Sequence, residues 1–268
     1  MTAGPWLALV TNDDGIDAAG LAVLAAAARD AGLQVVVAAP IREASGTSAG
    51  LTATEDGGGR VLIEDRELPG LPDIRAHAVA AHPAFIVLAA AQGAFGPAPD
   101  VVLSGVNEGA NIGRAVLHSG TVGAALTGAL QGARAMAVSL AVGPEPHDPR
   151  QWDSARAVLR TVLPLVAELP PGTTLNLNVP DRPLERLGEL RPVPLARVGT
   201  VQTRIEQLGG HQLRRVTAPL PGDPEPGTDA AVLAAGHPTV SELRSVDDAN
   251  PTALPKLLPH LPGPGAAW

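Results

Sequence analysis

The chain contains no cysteine and no tyrosine, and Lys256 is the only lysine among its 268 residues. Without thiols it has no thiolate nucleophile, no disulfide and no cysteine metal site. A single lysine, outside any Gly-Lys-Ser/Thr run, argues against Schiff-base chemistry and a P-loop. Aromatic residues make up 2% of the chain, so the core must be aliphatic and no platform for stacking a nucleobase is visible. Positive charge is also scarce: the formal net charge is −8 and the pI about 5.3. A nucleic-acid polymer, which wants a basic face, is therefore excluded as the main ligand. An acidic protein that acts on a small anion needs a local positive element to attract it. No apolar stretch reaches the roughly 20 residues of a membrane span, and Asp13 and Asp14 interrupt the first apolar run before a signal-peptide core can form. The expectation is a cytoplasmic protein that does not enter membranes.

Hydrophobic residues account for 45% and charged residues for 17%, a globular composition with enough apolar mass for a substantial core. The apolar pattern alternates between strand and helix. Leu7 to Val10 and Leu33 to Ala39 are continuous apolar runs, as expected for parallel strands covered on both faces, and Ala18 to Ala31 between them reads as a helix stopped by Gly32. Further strands are expected at Val101 to Leu103, Ala135 to Val142 and Thr174 to Val179, with helices after Pro83, from Ser119 to Ala133 and from Trp152 to Leu169. The segment 60–80 reads as a β-rich excursion. After Pro180 the chain turns proline-rich, and strand-like pieces at Arg197 to Ile205 and Gln212 to Val216, joined across Gly209 and Gly210, suggest a projecting hairpin. The expected organisation is an α/β parallel-sheet core over residues 1–180 and a hairpin-and-tail extension over 181–268, an oligomerisation element.

The polar clusters follow the strands. Thr11-Asn12-Asp13-Asp14-Gly15 comes directly after the first strand, where an open parallel sheet presents its crevice. Two adjacent carboxylates repel each other unless a cation neutralises them; the competing reading is that they cap the following helix. Ser104 to Gly113, after the Val101 strand, offers amide oxygens and donors from Asn107 and Asn111, but its glycines do not fit the dinucleotide fingerprint. Ser119-Gly120-Thr121 opens a helix whose free amides and hydroxyls suit an anion, or simply cap the helix. Glu43 to Ser48 follows the second strand. Gly46-Thr47-Ser48-Ala49-Gly50 matches Gly-x-Ser-x-Gly, so a serine esterase using Ser48 is an alternative, although no helix is expected behind it. The seven histidines show no zinc spacing. Asp13, Asp14, Ser45 and Asn107 together form an all-oxygen set suited to a hard divalent cation, Mg²⁺ or Mn²⁺. Beside an anion site, such a cation points to phosphate-ester hydrolysis.

Val10-Thr11-Asn12-Asp13-Asp14-Gly15-Ile16, Ser45-Gly46-Thr47-Ser48, Leu103-Ser104-Gly105-Val106-Asn107, Asn111-Ile112-Gly113 and Ser119-Gly120-Thr121-Val122 resemble, in this order, the signature of the SurE family of survival proteins, with a fainter echo at Gly227-Thr228-Asp229. The resemblance implies a Rossmann-like three-layer core and a metal-dependent 5′/3′-nucleotidase with broad phosphatase tolerance and some action on polyphosphate. It puts one divalent cation per subunit on Asp13, Asp14, Ser45 and Asn107, catalysis on Asp13 and Asp14, and phosphate on Asn111, Ser119, Gly120 and Thr121. It further implies a homodimer or homotetramer built through the C-terminal hairpin and tail. The chain departs from the family at Ala81-His82-Pro83-Ala84-Phe85-Ile86, where the family shows Gly-Thr-Pro-x-Asp-Cys. It departs again at Arg114, where an acidic residue is usual, and at Val240-Ser241-Glu242-Leu243, where the family has Ser-x-Thr-Pro-Leu. A non-catalytic nucleotide-binding module on the same fold is the alternative.

Overall fold

The computed structural model describes residues 5–143, 147–198, 201–208, 212–219 and 222–246. The Gly209–Gly210 turn and the tail beyond residue 246 lie outside the described residues.

The first half of the chain lays down β1 (Leu7–Thr11), α1 (Ala19–Asp30), β2 (Gln34–Pro40), β3 (Ile63–Arg66), β4 (Arg75–Val79) and α2 (Pro83–Ala91). There follow β5 (Val101–Glu108), a 3₁₀ turn at Gly113–His118, α3 (Gly120–Leu130), β6 (Arg134–Ala141), α4 (Trp152–Val166) and β7 (Thr174–Pro180). The C-terminal part adds β8 (Arg191–Pro192), β9 (Val201–Leu208), β10 (Gln212–Pro219), α5 (Asp229–Ala234) and β11 (Thr239–Leu243). Nine strands form one sheet in the order β3-β4-β2-β1-β5-β6-β7-β11-β8. Its centre, from β4 to β7, is parallel. Burial of β1 on both faces explains its unbroken apolar run. One apolar layer joins α1 and α4 to the sheet, with Leu21, Leu24, Leu159 and Leu163 in it; the other, under α2 and α3, contains Ile86, Val87, Val122 and Ala125. This is the three-layer α/β architecture expected from the sequence.

Three features differ from the sequence reading. The strand after Pro99 does not stop at Leu103 but runs on through Asn107 to Glu108, with a register shift against β6 between Ser104 and Asn107. Ser104-Gly105 had the look of a loop because glycine breaks strand patterns, yet a Cβ on Gly105 would stand 2.2 Å from the Val138 carbonyl oxygen, so only glycine lets β5 lie this close to β6. The segment 60–80 builds its strands into the edge of the main sheet, β4 parallel to β2 and β3 antiparallel to β4. Finally, the C-terminal part returns: β11 pairs antiparallel with β7, so residues after 181 complete the main sheet as well as forming the separate two-stranded β9–β10 hairpin.

The chain runs outward from β1 through β2 to β4 on one side, and from β5 through β6 to β7 on the other. The order therefore reverses between β1 and β5, and an open parallel sheet binds its ligands at the carboxyl ends of the strands at this switch point. Asp13 and Asp14 follow one of these strands, and Asn107 lies near the end of the other.

Candidate active site

Asp13 and Asp14 stand on a tight turn. Asn12 holds its shape by accepting from the Gly15 amide at 3.1 Å and donating to the Gly15 carbonyl at 2.9 Å. The Ala44 amide donates to the Asp13 carbonyl at 2.7 Å, which brings the loop after β2 against the loop after β1. The helix-capping alternative for the two aspartates fails: α1 starts at Ala19, its N-cap is Ala18, and no acidic residue lies in its first turn.

Instead Asp13, buried, faces the first turn of α3. The Thr121 hydroxyl donates to Asp13 Oδ1 at 2.5 Å. That hydroxyl also lies 3.2 Å from Asn107 Oδ1. It has only one proton, and the shorter contact takes it. Asn107 Oδ1 is left with a free lone pair beside the aspartates, while the Asn107 amide is fixed by donation to the Gly109 carbonyl at 2.7 Å. Asp14 Oδ2 accepts from the Glu108 amide at 3.2 Å. Two carboxylates and an amide oxygen with no donor of its own make a donor set that fits a hard divalent cation. Among the described residues no group of three or more His, Asp or Glu side chains is placed to hold a metal, so a cation here would need neutral oxygens as well as the carboxylates.

The electrostatics agree. Burial pushes the Asp13 carboxyl above its ordinary value, opposed by the Thr121 hydroxyl and by the backbone amides of Asp13, Thr121 and Gly120. Asp14 is pushed up to about 6, by burial first and then by the charge of Asp13, with smaller repulsion from Glu43 and Glu108. A carboxyl raised in the folded state stabilises the fold fully below about pH 4, its unfolded value. That contribution is lost as the pH rises through about 6. A cation bound there removes the penalty. Mn²⁺ is therefore expected to raise the melting temperature of metal-free protein more at pH 7 than at pH 5; scanning calorimetry at the two values checks this.

The expected phosphate stretch lies at the same point. Ser119 is the N-cap of α3, its oxygen accepting from the Val122 amide at 3.1 Å, so its own proton remains available to a ligand. Gly120 is a close approach: a Cβ there would stand 2.7 Å from Asp13 Oδ2 and 2.9 Å from Thr47 Oγ1. Gly120→Ala is expected to lower kcat/KM for a phosphate monoester by more than about a hundredfold, the scale of a misplaced catalytic group, while circular dichroism stays unchanged. Asn111 is pinned from several sides. Its amide donates to Asn178 Oδ1 at 2.9 Å, its carbonyl accepts from Asn176 and Asn178, and its Nδ2 donates to Ser139 Oγ at 2.9 Å. Ser45 is exposed, next to this centre in sequence through Ala44, and its hydroxyl donates to Glu43 Oε1 at 2.8 Å rather than to Asp13 or Asp14. The structure thus joins Asp13, Thr121, Asn107 and Gly120 by direct contact, with Asp14 adjoining, and sets Ser45 and Asn111 on the flanks.

Sequence reasoning missed Asn176 and Asn178, whose signal was two asparagines in an otherwise apolar strand, and it assigned no role to Asp229, which it met only in the fainter Gly227-Thr228-Asp229 match. The Asp229 carboxylate is fully buried and accepts from the amides of Gly113 at 2.7 Å, Ala196 at 2.7 Å and Ala230 at 2.8 Å. Arg114 is exposed, as is His118. Ser48 does not form a nucleophile elbow: its hydroxyl donates to the Leu117 carbonyl at 2.6 Å and no helix follows it.

A family model described as Survival protein SurE matches residues 8–204. The chain belongs to the SurE family. It is 36% identical over 264 residues to the 5′-nucleotidase SurE of Stenotrophomonas maltophilia (strain K279a), covering 97% of each chain. Over 175 residues it is 44% identical to the 5′-nucleotidase SurE of Xanthomonas axonopodis pv. citri, covering 65% of this chain and 63% of that one. The crystal structure of the SurE protein from Aquifex aeolicus superposes with a TM-score of 0.74 at 25% identity, over 95% of this chain and 98% of that one.

Proposed function

We propose that this SurE-family chain hydrolyses nucleoside 5′- and 3′-monophosphates, with one divalent cation, Mg²⁺ or Mn²⁺, held in each subunit by Asp13, Asp14, Asn107 and Ser45. The observation that carries this reading is the juxtaposition of Asp13, Asn107 and the first turn of α3 at the switch point of the sheet. The names of the relatives, both 5′-nucleotidases, support the reaction.

A cation held there would neutralise phosphoryl oxygens and make a nearby water more acidic. The side chains do the rest. Thr121 locks Asp13 in one orientation and takes one of its oxygens, so Asp14, which spends only Oδ2 on the Glu108 amide, is the group that takes the proton from the attacking water. Ser119 and the amides of Gly120 and Thr121 hold the phosphoryl oxygens, and Asn111 steadies the far side with its remaining amide proton. Paired, partly buried carboxylates are a costly feature for a module that merely binds an anion, which argues against the non-catalytic alternative.

No helix among the described residues is long and apolar enough to cross a membrane, and the same reading makes the protein cytoplasmic. It also makes it a homodimer or homotetramer: among the described residues β9 and β10 pair only with each other, leaving strand edges for a second copy. Some action on polyphosphate belongs to the same reading. Phosphate release from AMP in the presence of Mn²⁺, abolished by EDTA, is the expected result; turnover that EDTA leaves intact would refute the metal-dependent reaction.

A further inference from the structure

Glu108 brings a further carboxylate to the edge of the aspartate centre. It ends β5 one position after Asn107, and its amide donates to Asp14 Oδ2 at 3.2 Å. Its charge reaches that centre, where it adds to the repulsion on Asp14. A third negative charge here acts in two ways by Coulomb's law: it holds a divalent cation more tightly, and it repels an anionic phosphate ester. Left to itself, Glu108 would favour the cation and oppose the substrate.

Arg150 opposes it. The guanidinium grips Glu108 Oε1 through Nε at 2.8 Å and through Nη2 at 2.5 Å, and its third nitrogen, Nη1, donates to the His147 carbonyl at 2.6 Å. An ion pair between two freely moving surface side chains is worth little. This one is held at the arginine end, since the Arg150 side chain is 25% exposed against 46% for Glu108. The loop that carries it is pinned by Asp181, buried just past the end of β7, which accepts from the Gln151 amide at 2.8 Å and from the His147 amide at 3.3 Å. Arginine also keeps its charge at any working pH. The fold thus spends a pinned loop, 42 residues away in sequence, on fixing one positive charge against Glu108.

We propose that Arg150 is a positioning residue that acts through Glu108: it holds the carboxylate off the cation site and cancels its charge, so that the cation stays exchangeable and the phosphate ester is admitted. This inference rests on the proposed nucleotidase reaction, and its test separates the two. Loss of the arginine and loss of the glutamate must act in opposite directions, because one uncovers a negative charge and the other a positive one. A pair that merely braces the loop would disturb the site in the same direction whichever partner is removed.

Mn²⁺ affinity is measured by electron paramagnetic resonance, and kcat and KM for AMP at saturating Mn²⁺, in wild type, Arg150→Gln, Glu108→Gln and the double variant. Arg150→Gln is expected to bind Mn²⁺ at least about threefold more tightly and to raise KM for AMP by at least about threefold, the scale of one charge acting through partly screened solvent. Glu108→Gln should weaken Mn²⁺ and lower KM by similar factors, and the double variant should lie within about twofold of wild type in both. Arg150→Lys, which keeps the charge, should restore most of the difference. In 1 M KCl, where the screening length is about 3 Å, the shifts should largely disappear. Shifts of the same sign in the two single variants overturn the proposal, as does a raised KM in Arg150→Gln with unchanged Mn²⁺ affinity, which would mean that Arg150 meets the substrate itself. Opposite shifts in Mn²⁺ affinity without hydrolysis of AMP support the pair and overturn the nucleotidase reading; hydrolysis of AMP without those shifts does the reverse.

Discussion

Asp14→Asn is expected to lower kcat/KM for AMP by about a thousandfold or more and, at the same time, to raise the melting temperature of the metal-free protein at neutral pH. Both effects come from one carboxylate. Asp14 sits beside Asp13 with its carboxyl pushed up to about 6, because the fold buries it and surrounds it with Asp13, Glu43 and Glu108. At pH 7.5 the metal-free fold bears the cost of ionising it. Asparagine removes the charge but retains an oxygen for the Glu108 amide, so the site relaxes. The gain is on the order of 1–2 kcal/mol after discounting for solvent that reaches Asp14, which corresponds to about 2–6 °C in a domain of this size. Activity moves the other way, since the same change removes a cation ligand and the proton acceptor; a thousandfold loss corresponds to about 4 kcal/mol in the barrier. The stability difference should shrink as the pH falls below about 6 and vanish below about pH 4, where Asp14 is protonated in the folded and unfolded states alike. Thermal unfolding of the two proteins against pH, with EDTA present, checks the sign.

Asp229→Ala is expected to destabilise the chain by about 3–5 kcal/mol and to lower kcat/KM by more than tenfold in whatever protein remains folded. The fully buried carboxylate serves three amides at once, those of Gly113, Ala196 and Ala230. Removing it leaves three buried donors unpaired, at about 1–3 kcal/mol each before any relaxation. The catalytic effect follows from position. Gly113 opens the 3₁₀ turn that leads straight into Ser119 and α3, so its anchor sets where the first turn of α3 stands relative to Asp13. The conservative change Asp229→Asn keeps the shape but turns an NH₂ toward one of the amides, and should cost less than alanine but more than half as much. Urea unfolding midpoints of the three proteins, with kcat/KM for each, measure both consequences.

The centre of the site was legible in the sequence because its residues lie within a few positions of strand ends or a helix start. Continuous apolar runs marked β1 and β2, and Asp13, Asp14 and Ser119 follow or begin such elements directly. Asn107 was legible as a residue but not as part of a strand, because Gly105 reads locally as a break and only the contact with Val138 across β6 shows why it is needed. Asp229 acts on a residue 116 positions away, and no local pattern encodes such a contact. The same holds for β11, which joins the sheet between β7 and β8 by an antiparallel pairing with β7 that strand propensity cannot foretell. Thr121 was expected as a phosphate ligand; its hydroxyl is spent on Asp13, and that bond is what frees Asn107 Oδ1.

The most direct test is a titration of Mn²⁺ into metal-free protein, with bound Mn²⁺ followed by electron paramagnetic resonance and phosphate release from AMP measured on the same samples. Turnover should be absent at the start, rise in proportion to bound Mn²⁺ and level off at one ion per chain, with neither signal in Asp14→Asn. Phosphate release that is already complete before any Mn²⁺ is bound, or that persists in Asp14→Asn, would contradict the account.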